Sequence, residues 1–357
     1  MEQKNLITVI TDNHLMADTI AKAICANETH DGYYLGNGYA VTWTNGELIE
    51  AAFKAKNSLV LSTSMKSREV YAHNFEFAMR NYDEVVGYKK SAADARNLGT
   101  IRSLWEKSHT VINAMLPCEE GELMFLNLYY YLAMPVTVKR AWLPVLTRQA
   151  IRNAVFNGRT DTDEYEKWLG EAIINRIIEV DKDDVLETLD DTTDFGYEVE
   201  DMWERENEVS DGMTEDPEPR LYCMYTLADD ARDSLGWDFD RMFDTAMMLY
   251  FKKLISFPLY IETRIPKTVC HKMKRNIRTL TYHPKWGKLA PKAFKPDARH
   301  IYDGRQTAFN GYGIVTTGIH PTDLSGDERK LYSLIVKRVI DAFTPPAENE
   351  TKNDKTL

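Results

Sequence analysis

The chain has 357 residues, of which 43% are hydrophobic and 28% charged, and its net charge at pH 7 is −11. This composition is typical of a globular protein long enough for two domains, and no run of 18 apolar residues is present to span a membrane. Residues 1–5 show no signal-peptide pattern. The four cysteines form no C-x-x-C pair, which argues against a disulfide framework or a zinc ribbon and predicts a reducing, cytoplasmic location.

The first 160 residues alternate short apolar runs with amphipathic stretches, which favours an α/β domain with a mostly parallel sheet. The predicted strands are Leu6–Thr11, Tyr39–Trp43, Ser58–Ser62, Thr110–Asn113 and Val138–Trp142, and the predicted helices are His14–Ala26, Glu120–Leu132 and one from Thr147. From Leu221 onward the pattern is mostly helical, at Thr226–Leu235, Phe239–Leu254 and Leu324–Phe343. The last of these helices begins with the capping-box pair Ser325 and Glu328.

Charge is distributed unevenly along the chain. Residues 179–219 contain 18 acidic and two basic residues, which predicts a solvated acidic linker; the alternative is a segment that imitates DNA and covers a basic surface. Residues 264–305 contain 12 Lys and Arg against two Asp, interleaved with aromatics. Such a stretch can neutralise phosphates and stack on bases, or it can be only a solvated basic face. The candidate DNA contacts are Lys272, Lys274, Arg275, Arg278, Lys285, Trp286, Lys288 and Lys292.

Several segments, in order, resemble the type IA DNA topoisomerases, in particular the topoisomerase III branch. In the first half they are Leu6–Ala23, Gly36–Trp43, Gly46–Leu48, Val111–Ala114, Glu120–Leu123 and Lys139–Trp142; in the second half they are Thr226–Ala228, Leu249–Tyr250, Leu254–Pro258, Gly313–Gly318 and Leu324–Glu328. The resemblance implies a Toprim-like α/β domain over 1–160 and a helix with an acidic linker over 161–220, in place of the family's arch. It further implies a helical domain like the family's tyrosine-bearing domain over 221–344. The polar composition of residues 345–357 predicts a disordered tail.

The family's reaction is a transesterification in which a tyrosine oxygen attacks a DNA phosphodiester. Its Ile-Thr-Tyr-Pro-Arg-Thr motif aligns with Ile255–Tyr260. The resemblance therefore places Phe257 at the tyrosine position, Leu259 at the position of the phosphate-binding arginine, and Gly311 at that of an auxiliary histidine. Tyr260 is the remaining candidate for a shifted nucleophile, and packing is the role expected for both aromatics.

The metal-binding groups implied by the resemblance are also largely replaced. Leu116 and Cys118 stand for two aspartates, Glu119 for an arginine, and Asp12-Asn13 for a Glu-Lys pair. The carboxylates that remain are Asp12, Glu120 and Glu122. Glu120 and Glu122 are at i and i+2 of a helix and do not face each other, so together they make a poor Mg²⁺ site. No cofactor is therefore expected, and Mg²⁺ is expected only if the residual carboxylates still bind it. His14 and His320 are expected to be surface residues without a role.

The sequence thus predicts a catalytically inactive type IA topoisomerase-like protein. Its expected partners are single-stranded DNA or a DNA-processing protein, in a setting such as a mobile element, and no membrane. Two alternatives remain. One is an active topoisomerase or Mg²⁺-dependent nuclease with a relocated site, and the other is a protein-interaction module that binds no DNA.

Overall fold

A computed structural model describes residues 5–54, 65–80, 82–83, 88–89, 92–158, 160, 162–180, 220–289, 297–299, 301–302, 309 and 311–344. The chain divides into two compact units, Met1–Thr214 and Glu215–Leu357. The predicted strand at Ser58–Ser62, the acidic stretch after Val180 and the tail from residue 345 lie outside the described residues. Among the described residues, no helix is long and apolar enough to cross a membrane.

The first unit is built on a six-stranded sheet with the order β10-β9-β1-β4-β3-β2. The strands of this unit are β1 Leu6–Thr11, β2 Glu28–His30, β3 Tyr33–Gly36, β4 Tyr39–Trp43, β5 Ile49–Phe53, β6 Phe75–Met79, β7 Tyr82–Asp83, β8 Tyr88–Lys89, β9 Ser108–Asn113 and β10 Thr137–Arg140. Strands β10, β9, β1 and β4 run parallel, which confirms the predicted α/β architecture.

One edge of this sheet is antiparallel, which the strand–helix alternation does not predict. β3 and β4 form a hairpin through Asn37-Gly38, both with positive φ (51° and 79°). Two consecutive residues with positive φ form a type I′ turn, whose twist suits a tight hairpin. The Asn-Gly pair was therefore the available sequence signal for this reversal.

In the described part of the first unit, six helices flank the strands: α1 His14–Ile24, α2 Ser67–Asn74, α3 Ala92–Lys107, α4 Glu119–Leu132, α5 Arg148–Asn157 and α6 Asp163–Val180. The predicted helices correspond to α1, α4 and α5, and α6 lies where a helix is predicted before the acidic linker, whereas α2 and α3 were not predicted. Trp105 of α3 and Phe125 of α4 stack and pack with Ile10 and Val111 of the central strands. This core fixes the ends of β1, β9 and β10 relative to the start of α4.

The second unit is mostly helical, as predicted. Its helices are α7 Met224–Leu235, α8 Phe239–Phe251, α9 Lys267–Thr281 and α10 Gly326–Ala342, with a short 3-10 turn at Trp286–Leu289. The capping box at the start of α10 is confirmed, since the Ser325 side chain accepts from the Glu328 amide and the Glu328 carboxylate accepts from the Ser325 amide. Two extended segments pair beside the helices, with Ser256 N donating to Val315 O over 2.8 Å.

Candidate functional site

In the first unit, the candidate metal residues lie at the carboxyl ends of the parallel strands. Asp12 directly follows β1. The chain continues from β1 to β4 on one side of the sheet and returns to β9 on the other side, so the ends of β1 and β9 form a switch point, where ligands often bind. Its side chain is 7% exposed and accepts a hydrogen bond from Leu116 N. Burial raises the pKa of Asp12 to about 6, although the Leu116 amide and the positive charge of Arg140 act in the opposite direction.

Glu122, the next candidate, is fully buried and has both carboxylate oxygens engaged. Oε2 lies 2.8 Å from Nε of Arg140 and accepts from Nδ2 of Asn113 over 2.9 Å, while Oε1 accepts from the hydroxyl of Tyr165. Arg68 in turn donates to the Tyr165 hydroxyl over 2.9 Å. A carboxylate that is already neutralised and saturated with donors is poorly suited to hold Mg²⁺.

Arg140 is the centre of this edge of the sheet. It is 2% exposed, and its Nη1 donates to the carbonyl oxygens of Asn113 and Met115 while Nη2 donates to that of Leu116. The guanidinium thus supplies positive charge to the turn that the resemblance identifies as metal-binding. The carbonyl oxygens and the Glu122 carboxylate are already bound by this guanidinium, so these oxygens are not free to coordinate an ion.

The other acidic positions are not arranged as ligands either. Glu120 is exposed, and Glu119 accepts from Nδ2 of Asn175 over 3.2 Å. Burial raises the pKa of the Glu119 carboxyl and that of the Cys118 thiol, which disfavours both anions. Within the part of the chain that the structure describes, no three His, Cys, Asp or Glu side chains are grouped to hold a metal. The residues present therefore do not fit a Mg²⁺ site.

In the second unit, Phe257 is buried inside an aromatic cluster. It is 0% exposed, and its ring contacts those of Tyr250 and Tyr260 edge-on, at centroid distances of 5.4 and 5.2 Å. Leu259 is half-buried. A DNA phosphate cannot approach residue 257 unless this cluster opens, and the side chain there has no oxygen.

Gly311 explains how this cluster closes. A Cβ atom at position 311 would lie 2.3 Å from Cγ of Tyr260, and the residue has φ of +74°. The Tyr260 ring therefore occupies the space into which a side chain at position 311 would project, so a histidine cannot stand there while Tyr260 keeps its place. Tyr260 itself is 8% exposed and its hydroxyl oxygen is buried, which does not favour a shifted nucleophile.

Helix α9 carries the described part of the basic stretch. Lys267, His271, Lys274 and Arg278 follow one another at intervals of three and four residues and form one exposed stripe about 17 Å long. Met273 and Ile277 face the core instead. Of the predicted DNA contacts, Lys272, Lys274, Arg275, Arg278, Lys285 and Lys288 are exposed, and Lys292 lies outside the described residues.

The structure argues against one predicted DNA contact, Trp286. Its side chain is 4% exposed, its ring Nε1 donates to Ser333 Oγ over 3.1 Å, and its ring contacts Tyr332 edge-on. It packs as a core residue and cannot stack on a base in this position. Tyr282, directly after α9, is 84% exposed and is accessible for stacking.

Similarity to known proteins identifies the family of this chain. A family model described as DNA topoisomerase matches residues 159–356, more than half of the chain. The chain belongs to the DNA topoisomerase family. This confirms the resemblance to type IA topoisomerases on which the sequence predictions depended.

Known topoisomerases match the chain at low identity. DNA topoisomerase 1 of Alkalihalophilus pseudofirmus is 30% identical over 141 residues, which are 39% of this chain and 20% of that protein. DNA topoisomerase 3 of Staphylococcus aureus strain USA300 is 21% identical, with 95% of this chain and 56% of that protein covered. Full-length topoisomerase I from Thermotoga maritima is similar in fold, with a TM-score of 0.56, 16% identity, and coverage of 95% of this chain and 61% of that one. The chain thus spans little more than half of the topoisomerase 3 it matches.

Several residues that surround Glu122 in this topoisomerase-family chain were not predicted from the sequence. Arg68, Arg140 and Tyr165 surround Glu122, yet nothing in their spacing indicates a shared site because they come from α2, β10 and α6. Asn13, which stands for the family's lysine, caps α1 by accepting from Met16 N. His14 is exposed, as expected, but it bonds to the Tyr34 hydroxyl over 2.7 Å. His320 is exposed, as expected.

Proposed function

We propose that this chain is a DNA topoisomerase-family protein that binds single-stranded DNA without cleaving it. The observation that carries the proposal is the burial of Phe257, at the family's tyrosine position, between two further aromatic rings. A benzyl group cannot form a phosphoester, and its surroundings exclude the phosphate that a nucleophile would attack.

The groups that would assist cleavage support the same proposal. Leu259 provides no donor for a phosphate oxygen, and Gly311 has no side chain and lies directly under the Tyr260 ring. Catalysis of phosphoryl transfer depends on charged donors placed around the reacting oxygens. In the first unit, Glu122 is neutralised by Arg140, and Asp12 accepts from a backbone amide. These groups stabilise the fold and leave no set of ligands for a divalent ion.

The capacity to bind DNA rests on α9. Among the described residues, Lys274 and Arg278 form no ion pair, and α9 contains no acidic residue that would compete for them. A row of basic side chains about 17 Å long can follow a nucleic-acid backbone, and the exposed ring of Tyr282 lies at its end. Each phosphate contact releases bound counterions, which makes the binding dependent on salt.

One experiment tests both halves of the proposal. Purified full-length chain is incubated with a labelled single-stranded oligonucleotide and Mg²⁺, then analysed on native and on denaturing gels. We expect a retarded complex on the native gel at low salt and no covalent adduct on the denaturing gel. Phe257→Tyr should also give no adduct. The new hydroxyl would have no arginine at position 259 to bind the phosphate and no metal site beside it. An adduct with the unmodified chain would refute the absence of cleavage.

The DNA-binding half has its own variants. Replacing Lys274 and Arg278 by Gln should weaken binding about tenfold at low salt and reduce the slope of log affinity against log salt by about 1.4, since each lost contact on single strands contributes about 0.7. Lys330→Gln with Lys337→Gln, on helix α10, removes the same charge from another surface and should change neither quantity. If the unmodified chain forms no complex with the oligonucleotide at low salt, the proposed DNA binding is refuted.

A further inference from the structure

The second unit has an open groove on the exposed side of α10. Its volume is about 450 Å³, and it lies between α10, the last residue of α7 and the residue before the 3-10 turn. The residues that line it are Leu235, Lys285, Arg329, Lys330, Ser333, Leu334 and Lys337. Positions 330, 334 and 337 of α10 lie on one face of the helix because they are separated by four and three residues.

The groove combines an apolar floor with a cationic rim. Leu235 and Leu334 are half-buried and form the floor, while four cations of the lining set surround it. Among the described residues, no carboxylate lines the groove. The acids in the first turn of α10 are already used elsewhere, because Asp327 pairs with Arg241 at 2.8 Å and Glu328 pairs with Lys252 at 2.7 Å. Within the part of the chain that the structure describes, none of the four rim cations has an ion-pair partner, so the rim charge is uncompensated.

The groove is a poor match for a nucleic acid. Stacking requires an exposed ring, but the Trp286 ring beneath the groove is buried, with Lys285 Nζ 4.8 Å from its centroid on one side. Reading a base edge requires free polar groups, but the Ser333 hydroxyl already donates to Arg329 O and accepts from Trp286 Nε1. Aliphatic floor residues with a cationic rim instead match apolar side chains flanked by carboxylates.

We propose that this groove is a docking site for an acidic segment of another protein, in which one or two apolar side chains enter between Leu235 and Leu334 while neighbouring Asp or Glu residues pair with the rim. Apolar anchors supply most of the affinity at such interfaces, and rim charges supply partner selection and association rate. The occupant is a protein and not DNA, and its binding does not depend on whether the chain cleaves DNA.

Three fluorescein-labelled peptides separate this site from general charge attraction. The probe is Asp-Glu-Leu-Phe-Glu-Asp; one control is Asn-Gln-Leu-Phe-Gln-Asn, and the other is Asp-Glu-Ser-Ser-Glu-Asp. Fluorescence anisotropy with the full chain should show that the probe binds at least about tenfold more tightly than either control, since one control lacks the charges and the other lacks the apolar anchor. Equal binding of the probe and the Ser-Ser control would mean that only charge is recognised, and it would overturn the proposal.

Variants locate the bound peptide and distinguish it from DNA. Lys330→Glu with Lys337→Glu should weaken probe binding about tenfold, while Lys272→Glu with Lys274→Glu, the same charge change on α9, should leave it within about twofold. Leu334→Asp tests the floor and should also abolish the preference for the probe. Circular dichroism spectra show whether each variant is folded. If the α10 variants weaken binding of a single-stranded oligonucleotide as much as that of the probe, the groove belongs to the DNA surface and the proposal fails, even though DNA binding itself would stand.

Discussion

At the scale of single residues, Asp12 and Glu122 show two ways in which an interior carboxyl group can be held. Glu122 is compensated by the guanidinium of Arg140 at 2.8 Å and by two further donors. The Asp12 carboxylate accepts one hydrogen bond, from the backbone amide of Leu116, and the charge of Arg140 attracts it more weakly than that hydrogen bond does. Burial therefore dominates at Asp12 and disfavours its anion, so the two acids affect the stability of the protein in different ways.

The raised pKa of Asp12 makes stability depend on pH. The pKa is about 6 in the folded chain against 3.8 in the unfolded one, so the folded state holds the proton more tightly. This favours folding below pH 3.8, and the advantage is lost as the pH rises to about 6. Asp12→Asn keeps an oxygen for the Leu116 amide and removes the charge. It should stabilise the chain by about 2 kcal/mol more at pH 8 than at pH 4, measured by urea unfolding. The exposed Asp31→Asn is the control, and a pH-independent effect of Asp12→Asn would contradict the argument.

The contact between Gly311 and Tyr260 can be tested separately from backbone strain. Gly311→Ala places a methyl group 2.3 Å from the ring at a φ of +74°, so both overlap and strain should act, at a combined cost of about 2–4 kcal/mol. Gly236→Ala is the matched control, because it has φ of +68° and no atom within 4 Å of the new Cβ, and it should cost about 1 kcal/mol. In a Tyr260→Leu background the cost of Gly311→Ala should fall toward that of the control. Equal costs in both backgrounds would show that the ring does not fill this space.

At the scale of secondary-structure elements, local sequence signals predict some features well and others poorly. α10 was predictable because its cap and its apolar period agree, and β1, β4 and β9 were predictable as β-branched apolar runs. α9 was missed because only Met273, Ile277 and Leu280 face the core. Three apolar residues among many basic ones give too weak a helical periodicity to predict the helix. At the candidate site, Phe257 was identified from a contiguous motif. The ring of Tyr260 over Gly311 was not, because 51 positions of sequence separate two residues that meet only after folding.

The cap of α10 gives an element-scale prediction. Ser325 Oγ accepts from Glu328 N over 3.1 Å, satisfying a helix amide that otherwise has no partner. Ser325→Ala should therefore destabilise the chain by about 1 kcal/mol, seen as a lower midpoint in urea with an unchanged slope. Ser234→Ala, at an exposed position inside α7, makes the same chemical change without removing a cap and should shift the midpoint little. A larger effect at Ser234 would contradict the capping argument.

At the scale of the whole molecule, the proposed binding of DNA by an acidic chain requires that its charges be separated. The chain carries −11 overall, yet residues 264–305 carry 12 basic residues against two acidic ones. The opposing charge is concentrated in residues 181–219, where 17 acidic residues stand against two basic ones. Long-range repulsion from that stretch should slow the approach of DNA, whereas contacts at α9 act at short range.

This separation predicts what happens when the acidic stretch is neutralised. Replacing residues 181–219 by 39 Gly and Ser residues removes a net −15 and changes the overall charge from −11 to +4. Binding of a single-stranded oligonucleotide should tighten on the order of tenfold at low salt, and the difference should disappear at high salt, where screening shortens the range of charge interactions to a few ångströms. A version with the same residues in shuffled order keeps the charge and should behave like the unmodified chain. If shuffling tightens binding as much as neutralisation does, the order of the residues matters, and the stretch masks a specific surface instead of acting through its charge alone.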